Sequence, residues 1–371
     1  MDSINKFSLK DIAAAIKKAM NKGNKSLFGI DIGLSSVKVA EVTVKQGKTP
    51  KYTIQKYAYA SLPEGCIIED EIQKPDEIIK AITKALSLAG IDLTNCCLGL
   101  FGPNTVAKKL QLAGGSREEI EDQVMWESEQ YLPFSIDESS IDFHIVGENE
   151  GGGVDIIVAA VKNDIRYNYG ELLEQAGLNI KIYDLNLIAV TNVFEETRTE
   201  EELHGESSFL IMDIGAQNTS FIIYRNGVIQ FSKEIGFGGV MITEEIQRRM
   251  GVNYYEAEDL KNNKDASGNQ PEEIIEIIDD ITDLLFAEVK KTLDFYIVST
   301  SDESLSECYI TGGAILGNGL HEGLESLLKV PVKILNPLDV FEINTKNFSD
   351  EQINNITFQG CSVLGLAMRV L

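Results

Sequence analysis

Two stretches of the chain spell the same device. Ile30-Asp31-Ile32-Gly33-Leu34-Ser35-Ser36-Val37-Lys38 and Met212-Asp213-Ile214-Gly215-Ala216-Gln217-Asn218-Thr219-Ser220 each run an apolar strand into Asp-Ile-Gly, a polar turn and a second strand. One such hairpin is common in β proteins. Two, each opening one half of the chain, restrict the fold to a duplicated α/β pair with a cleft between the halves. The chemistry suits phosphate. Glycine allows a tight turn with φ > 0, where successive N–H groups face one anion. Asp31 and Asp213 at the strand ends can hold a hydrated Mg²⁺. Lys38 returns on the next strand as a point charge for phosphate.

A third glycine motif, Ile310-Thr311-Gly312-Gly313-Ala314-Ile315-Leu316, follows a short apolar strand and opens a helix. Backbone can approach a ligand there. Taken alone, these residues read first as a strand-to-helix turn with glycines for packing.

Between the motifs the pattern is regular. Strands are expected over Leu27–Asp31, Val37–Val44 and Tyr52–Ala60, then a helix from Pro75 to Ala89, closed by Gly90. Strands Cys96–Phe101 and Val106–Leu112 follow. Ser116 and Glu119 form a capping box for a helix through Tyr131. Strands Ser140–Val146 and Val154–Val161, a helix Asn163–Ala176 and a strand Ile180–Asp184 complete the first half. The second half repeats three strands, Phe209–Asp213, Thr219–Tyr224 and Val228–Ile235. Helices follow at about Gly239–Met250, Tyr254–Lys261 and Pro271–Ser299, then a strand Cys308–Thr311 and a terminal helix from Thr357. This gives a first unit over 26–195, an acidic linker over 196–206 and a second unit over 207–371, with a helical part near 239–300.

Residues 1–25 differ. Lys6, Lys10, Lys17, Lys18, Lys22 and Lys25 against Asp2 and Asp11 give +4, and Ile4, Phe7, Ile12, Ile16, Ala19 and Met20 recur at helical spacing. Such a basic amphipathic leader binds a membrane surface or a partner, or is simply a solvated helix or tail. The whole chain, by contrast, carries −25 over 371 residues. That excludes a general nucleic-acid binder and electrostatic docking of the body on an anionic membrane. No apolar run approaches the roughly 20 residues of a membrane span, so the chain reads as cytoplasmic. Five cysteines without a Cys-x-x-Cys and three scattered histidines assemble no metal site by motif. They read as buried free thiols.

In this order the three glycine motifs resemble the phosphate-1, phosphate-2 and adenosine motifs of the actin-like ATPase superfamily. The likeness runs from Leu27 to the C-terminus. Within the superfamily it is to the PilM family of the type IV pilus inner-membrane platform, relatives of the cell-division protein FtsA. Besides the first motif it rests on Val158–Lys162, Glu174–Leu178, Lys233–Gly239, Gly312–Ala314 with Val330–Val332 and Leu335–Pro337, and Gly365–Arg369.

The resemblance implies an actin-like (ribonuclease H-like) pair of domains flanking a nucleotide cleft. A small inserted subdomain is implied at about 104–161. ATP and Mg²⁺ are the implied cofactors. Gly33, Ser35, Ser36 and Lys38 would embrace the β- and γ-phosphates from one side, and Gly215, Asn218 and Thr219 from the other. Asp31 and Asp213 would orient Mg²⁺ through water. Gly312, Gly313 and Ala314 would pass the adenosine. Ala257-Glu258-Asp259-Leu260-Lys261 resembles the family's Ala-Glu-x-x-Lys stretch, placing Glu258 at the ribose and Lys261 near the base; an exposed helix with ordinary charges fits as well.

A groove beside the inserted subdomain would take the N-terminal peptide of a PilN-type inner-membrane protein, with the chain peripheral to that membrane among other platform proteins. Trp126 is spaced like a buried helix residue; for Phe134, core and groove both stay open. Ala216 and Gln217 stand where FtsA-like chains carry glycines. No residue can be named that positions an attacking water, so turnover is expected to be slow or absent and catalytic residues stay unassigned. The alternatives are an FtsA-like filament protein and a sugar kinase, the latter needing a general base for which Asp184 is the candidate. Self-association is left open.

Overall fold

The structure, a computed structural model, describes residues 27–370 apart from 46, 48–49, 69, 150, 263–269 and 316–318. The basic leader and most of the polar loop 262–270 lie outside the described residues.

The first half begins with a meander, β1 (Phe28–Ile32), β2 (Ser36–Lys45) and β3 (Lys51–Ser61). After a small hairpin, β4 (Ile67–Ile68) and β5 (Glu71–Ile72), comes α1 (Pro75–Ala89). Proline in its first turn and Gly90 at φ 65 past its end stop it where the sequence indicates. Strand β6 (Asn95–Leu100) then lies parallel to β1. The inserted part contains β7 (Thr105–Leu112), α2 (Arg117–Tyr131), β8 (Ser139–Glu148) and β9 (Val154–Lys162). Helix α3 (Asn163–Gln175), β10 (Asn179–Leu185) and α4 (Asn186–Glu196) close the half.

The second half repeats the plan. Its meander is β11 (Ser208–Ile214), β12 (Thr219–Arg225) and β13 (Val228–Ile235). A short α5 (Glu200–Leu203) precedes it. Helices α6 (Gly239–Met250), α7 (Tyr254–Asn262) and α8 (Glu272–Thr300) follow, then β14 (Leu305–Thr311), α9 (Leu320–Leu328) and β15 (Val332–Ile334). Strand β16 (Phe341–Ile343), α10 (Asp350–Gln359) and α11 (Cys361–Ala367) end the chain.

The duplication is visible in strand order. The first sheet runs β10-β6-β1-β2-β3-β16 and the second β13-β12-β11-β14-β15. In both, an antiparallel meander is followed by a parallel strand on the far side of the first strand. Asp31 pairs across to Lys38 and Gly99, and Asp213 to Ser220 and Thr311, so the two aspartates occupy equivalent corners. Strand β1 is buried along its whole length and β11 nearly so. That is why both read as unbroken apolar runs rather than alternating ones.

Three expectations are corrected. The terminal helix is two helices broken at Gly360, and the tail does not stay with the second unit. Strand β16 adds to the first sheet beside β3, and α11 lies buried against β1 and α4. Glycine permits the approach: a Cβ on Gly29 would sit 2.4 Å from the Val363 carbonyl oxygen, and one on Gly365 2.1 Å from that of Ala189.

The acidic stretch is also not a free tether. Thr199 and Glu202 form a capping box, Tyr52 Oη donates to Glu196 at 2.9 Å, and the Arg198 guanidinium lies 4.6 Å over the Tyr309 ring. Trp126, finally, is 62% exposed. Helix α2 turns Ile120, Val124 and Ser128 to the inserted sheet, and two residues past Val124 is the opposite side of a helix. Phe134 is half-buried.

The inserted sheet, ordered β7-β9-β8, has its own small core of Leu110, Leu112, Ile120, Val124, Ile156 and Val158. Its β7 edge meets β13 of the second half. Ser232 Oγ donates to the Ala107 carbonyl at 2.7 Å, and Lys109 Nζ to Gln230 Oε1 at 3.4 Å. All five cysteines are buried free thiols. No helix among the described residues is long and apolar enough to cross a membrane.

Candidate functional site

The two Asp-Ile-Gly hairpins face each other across one cavity of ≈ 100 Å³. Their turns are built alike. Gly33 N–H donates to the Ser36 carbonyl at 3.0 Å, and Gly215 N–H to that of Asn218 at 3.0 Å. Neither glycine has a positive φ, against the sequence expectation. At position 215 glycine supplies room, since a Cβ would lie 3.0 Å from Asn218 O; at position 33 a Cβ would make an ordinary contact, 3.4 Å from Ser36 O. Among the described residues, the N–H groups of Leu34, Ser35, Ala216 and Gln217 donate to no protein acceptor. Two turns with free donors on opposite walls can hold one anion between them.

The sequence-predicted residues divide into two groups. Asp31, Gly33, Ser35, Lys38, Asp213, Gly215, Asn218, Gly312 and Gly313 line the cavity. Ser36, Thr219, Ala314, Glu258 and Lys261 do not. Ser36 is a buried strand start that accepts from Gly33. Thr219 is buried and donates its hydroxyl to the Phe237 carbonyl at 2.8 Å. Ala314 N–H donates to the Ile214 carbonyl at 3.0 Å. Glu258 and Lys261 are bonded to each other and both to Thr243, and Lys261 Nζ donates to the Gly239 carbonyl at 3.2 Å. They stand behind Gly239, whose N–H donates to the Gly215 carbonyl at 3.0 Å. The second turn therefore rests on this helical layer. Two further glycines make the fit close. A Cβ on Gly238 would be 2.4 Å from the Ala216 carbonyl, and one on Gly312, at φ 104, 2.4 Å from Ile214 O.

Sequence reasoning missed Asn186, Ser220, Glu234, Gln359 and Ser362, which also line the cavity. A strand signal marked Ser220 and Glu234, polar positions directly paired across β12 and β13. Nothing local marked Ser362, which arrives only because α11 folds back.

Electrostatically the cavity is short of positive charge. Asp31 accepts from Asn186 Nδ2 at 2.9 Å and lies 3.8 Å from the buried Lys38 Nζ. Asp213 accepts from Ser362 Oγ at 3.2 Å. Burial, and then the Asp31 charge, pushes the Asp213 carboxyl up to about 6. Burial pushes Glu234 up to about 7, against the easing hydrogen bond from Ser220, with the Asp213 charge adding to the rise. Three carboxylates beside one lysine favour an added cation. Among the described residues no three acidic, His or Cys groups converge into a metal cage. Carboxylates acting through water fit Mg²⁺, which keeps several waters. Asp184, the kinase-type base candidate, bonds Arg369 Nε at 2.5 Å and lines no part of the cavity.

Among solved structures, the chain is similar to the PilM–PilN type IV pilus biogenesis complex, 27% identical over 93% of this chain and 98% of that one, with a TM-score of 0.81. It shares its fold with the ethanolamine utilization protein EutJ from Carboxydothermus hydrogenoformans at 13% identity, over 92% and 89% of the two chains, with a TM-score of 0.55. A nucleotide-free diol dehydratase-reactivating factor shares it at 11% identity, over 92% and 99%, with a TM-score of 0.50. The sequence profile of the type IV pilus assembly protein PilM matches residues 29–371. With its duplicated actin-like fold and paired turns, the chain belongs to the PilM family of type IV pilus assembly proteins.

Proposed function

We propose that the protein is a nucleotide-dependent scaffold of the pilus platform: it takes ATP·Mg²⁺ between its two hairpin turns and presents a groove to the N-terminal peptide of a PilN-type inner-membrane protein. The observation that carries the nucleotide half is the pair of turns with free N–H donors across one cavity. In this reading the backbone at Leu34, Ser35, Ala216 and Gln217, with Lys38, binds the phosphate end. Asp31 and Asp213 hold Mg²⁺ through water, which supplies charge neutralisation for the phosphates. Gly312 and Gly313 pass the nucleoside, and Glu258 and Lys261 brace the second turn. Hydrolysis is slow or absent in this reading, because no residue is assigned to position the attacking water that phosphoryl transfer demands.

The peptide half rests on family membership and on a second depression of ≈ 260 Å³ at the junction of the inserted sheet. Glu71, Asn104, Lys162, Asp164, Tyr167 and Asn168 line it with one apolar residue, Ile165. Attachment to the cytoplasmic side of the inner membrane is then through the partner. Calorimetry with ATP·Mg²⁺ and a PilN-type peptide, singly and together, tests the reading. Peptide binding should tighten with ATP in the wild type and lose that gain in Asp31→Ala and Gly215→Val. Equal peptide affinity with and without ATP would remove the gating, and absence of both affinities would remove the scaffold.

A further inference from the structure

The inserted sheet has two edges. Its β7 edge meets β13, while β8 has β9 as its one strand neighbour among the described residues. Strand β9 fixes which backbone groups of β8 are left over. Lys162 N–H donates to the Asn104 carbonyl, on the β7 side, at 3.1 Å. Donors alternate sides along a strand, so Val161, Ala159 and Ile157 point theirs at β8. Their partners Ser140, Asp142 and His144 therefore make the ladder bonds. The N–H and C=O groups of Ile141, Phe143 and Ile145 face outward. Phe143 agrees, since its N–H donates to the Asp142 carboxylate at 2.8 Å. A row of outward N–H and C=O groups is a template for another strand. The bulge after Ile145 ends the flat part of this edge, which leaves residues 141–145 open to pairing.

The order of these five residues selects the occupant. Laid antiparallel on a copy of itself and centred on Phe143, the strand sets Ile141 opposite Ile145, Phe143 opposite Phe143, and Asp142 opposite His144 on both sides of the centre. Ile141, Phe143 and Ile145 then form the hydrogen-bonded pairs. Asp142 and His144 form the closer, non-hydrogen-bonded ones, at Cα separations of about 4.5 Å. Neighbouring registers lose the match. Centred on residue 142, Asp142 opposes Asp142; centred on residue 144, His144 opposes His144. Unlike pairs stabilise a strand pairing and like charges oppose it. An imidazole carries an N–H donor in either protonation state, and both Asp142 and His144 are exposed.

We infer that β8 pairs antiparallel with β8 of a second copy of this chain, centred on Phe143. The inserted sheets of the two copies then run on as one, β7-β9-β8-β8-β9-β7, about a two-fold axis. Ile141, Phe143 and Ile145 of both copies lie on one face of it, the face on which Ile141 and Phe143 already pack against the α2 core. Asp142 gives up the Phe143 N–H to the partner strand and takes the partner's His144 instead. The contact is small and each copy carries −25, so the dimer is weak and concentration-dependent.

Sedimentation of the full chain tests this at about 0.15 M salt, where screening limits repulsion between the copies to about 8 Å. The mass should rise toward twofold with concentration. Asp142→Lys should raise the dissociation constant about tenfold, and Asp142→Lys/His144→Asp should bring it back to within about threefold of the wild type. Both positions are exposed, so the fold is not at stake. Cross-linking reads the register, because the chain's own thiols are buried. Under diamide, a mixture of Asp142→Cys and His144→Cys chains should become disulfide-linked, and neither variant should link to itself. A chain that stays monomeric at every concentration overturns the proposal. So does a dimer indifferent to Asp142→Lys, which places the contact elsewhere, and so does either cysteine variant linking to itself as readily as the mixture. Exchange protection of β8 that appears only on adding a PilN-type peptide also overturns it, since the edge then belongs to that partner.

Discussion

Asp213 and Glu234 face the same cavity with their protons held more tightly than in an unfolded chain, at about 6 and about 7. Between the unfolded carboxylate range near pH 4 and pH 7, the folded state therefore binds more protons than the unfolded one. Stability supplied by these groups is full below pH 4 and is lost as pH rises through 6 and 7. The melting temperature should fall by about 1–2 °C for each kcal/mol so lost between pH 5 and 7.5. Asp213→Asn should flatten that slope, and a slope unchanged by the substitution would contradict the assignment. Gly238→Ala is the complementary steric probe. Its methyl group would meet the Ala216 carbonyl at 2.4 Å, so the second turn must shift. We expect about 1–3 kcal/mol of destabilisation, measured by denaturant unfolding, with a loss of nucleotide affinity.

At the scale of elements, β13 carries two contacts at once. Ser232 and Glu234 share one face by the period of two, and Gln230 stands at the bulge just before them. Gln230 and Ser232 touch the inserted sheet, and Glu234 lines the cavity. The strand is thus a strut between the turn region and the inserted part. Ser232→Ala/Lys109→Ala should weaken the ATP-dependent gain in peptide affinity severalfold while leaving each separate affinity within about twofold. Calorimetry of the ternary system checks it, and an unchanged gain would assign the coupling elsewhere.

Elements of this kind were largely legible in the sequence. Apolar runs marked β1 and β11, Pro75 and Gly90 bracketed α1, and Ser116 with Glu119 opened α2. What stayed hidden depends on tertiary contacts. Trp126 has helical spacing consistent with a buried stripe, and only the sheet under Ile120 and Val124 decides which stripe is inside. Ser362 and Gln359 reach the cavity through the return of the tail, which no local pattern encodes. Gly33 and Gly215 sit in the turns as the sequence indicates, yet neither has the positive φ expected of it, and only at Gly215 is space tight.

As a whole, the molecule is two copies of one sheet plan closed on each other, with the tail of the second half sealing the first. Gly365→Ala, whose Cβ would fall 2.1 Å from the Ala189 carbonyl oxygen, should displace α11 and lower the melting temperature more than any exposed substitution. Calorimetric scanning would show it; an unchanged transition would mean that the tail is not part of the first core. The cavity of ≈ 100 Å³ takes a phosphate end but is smaller than the roughly 300 Å³ at which ligand pockets begin. Entry of a nucleoside therefore requires the halves to part. Association of ATP should be slower than about 10⁵ M⁻¹s⁻¹ by stopped flow.

The central claim is that both hairpin turns grip one ligand. Hydrogen exchange with and without ATP·Mg²⁺ tests it most directly, read on peptides spanning 33–38 and 215–220. The expected result is protection of both turns together, at the same nucleotide concentration. Protection of one turn alone, or of neither at saturating nucleotide, would contradict it.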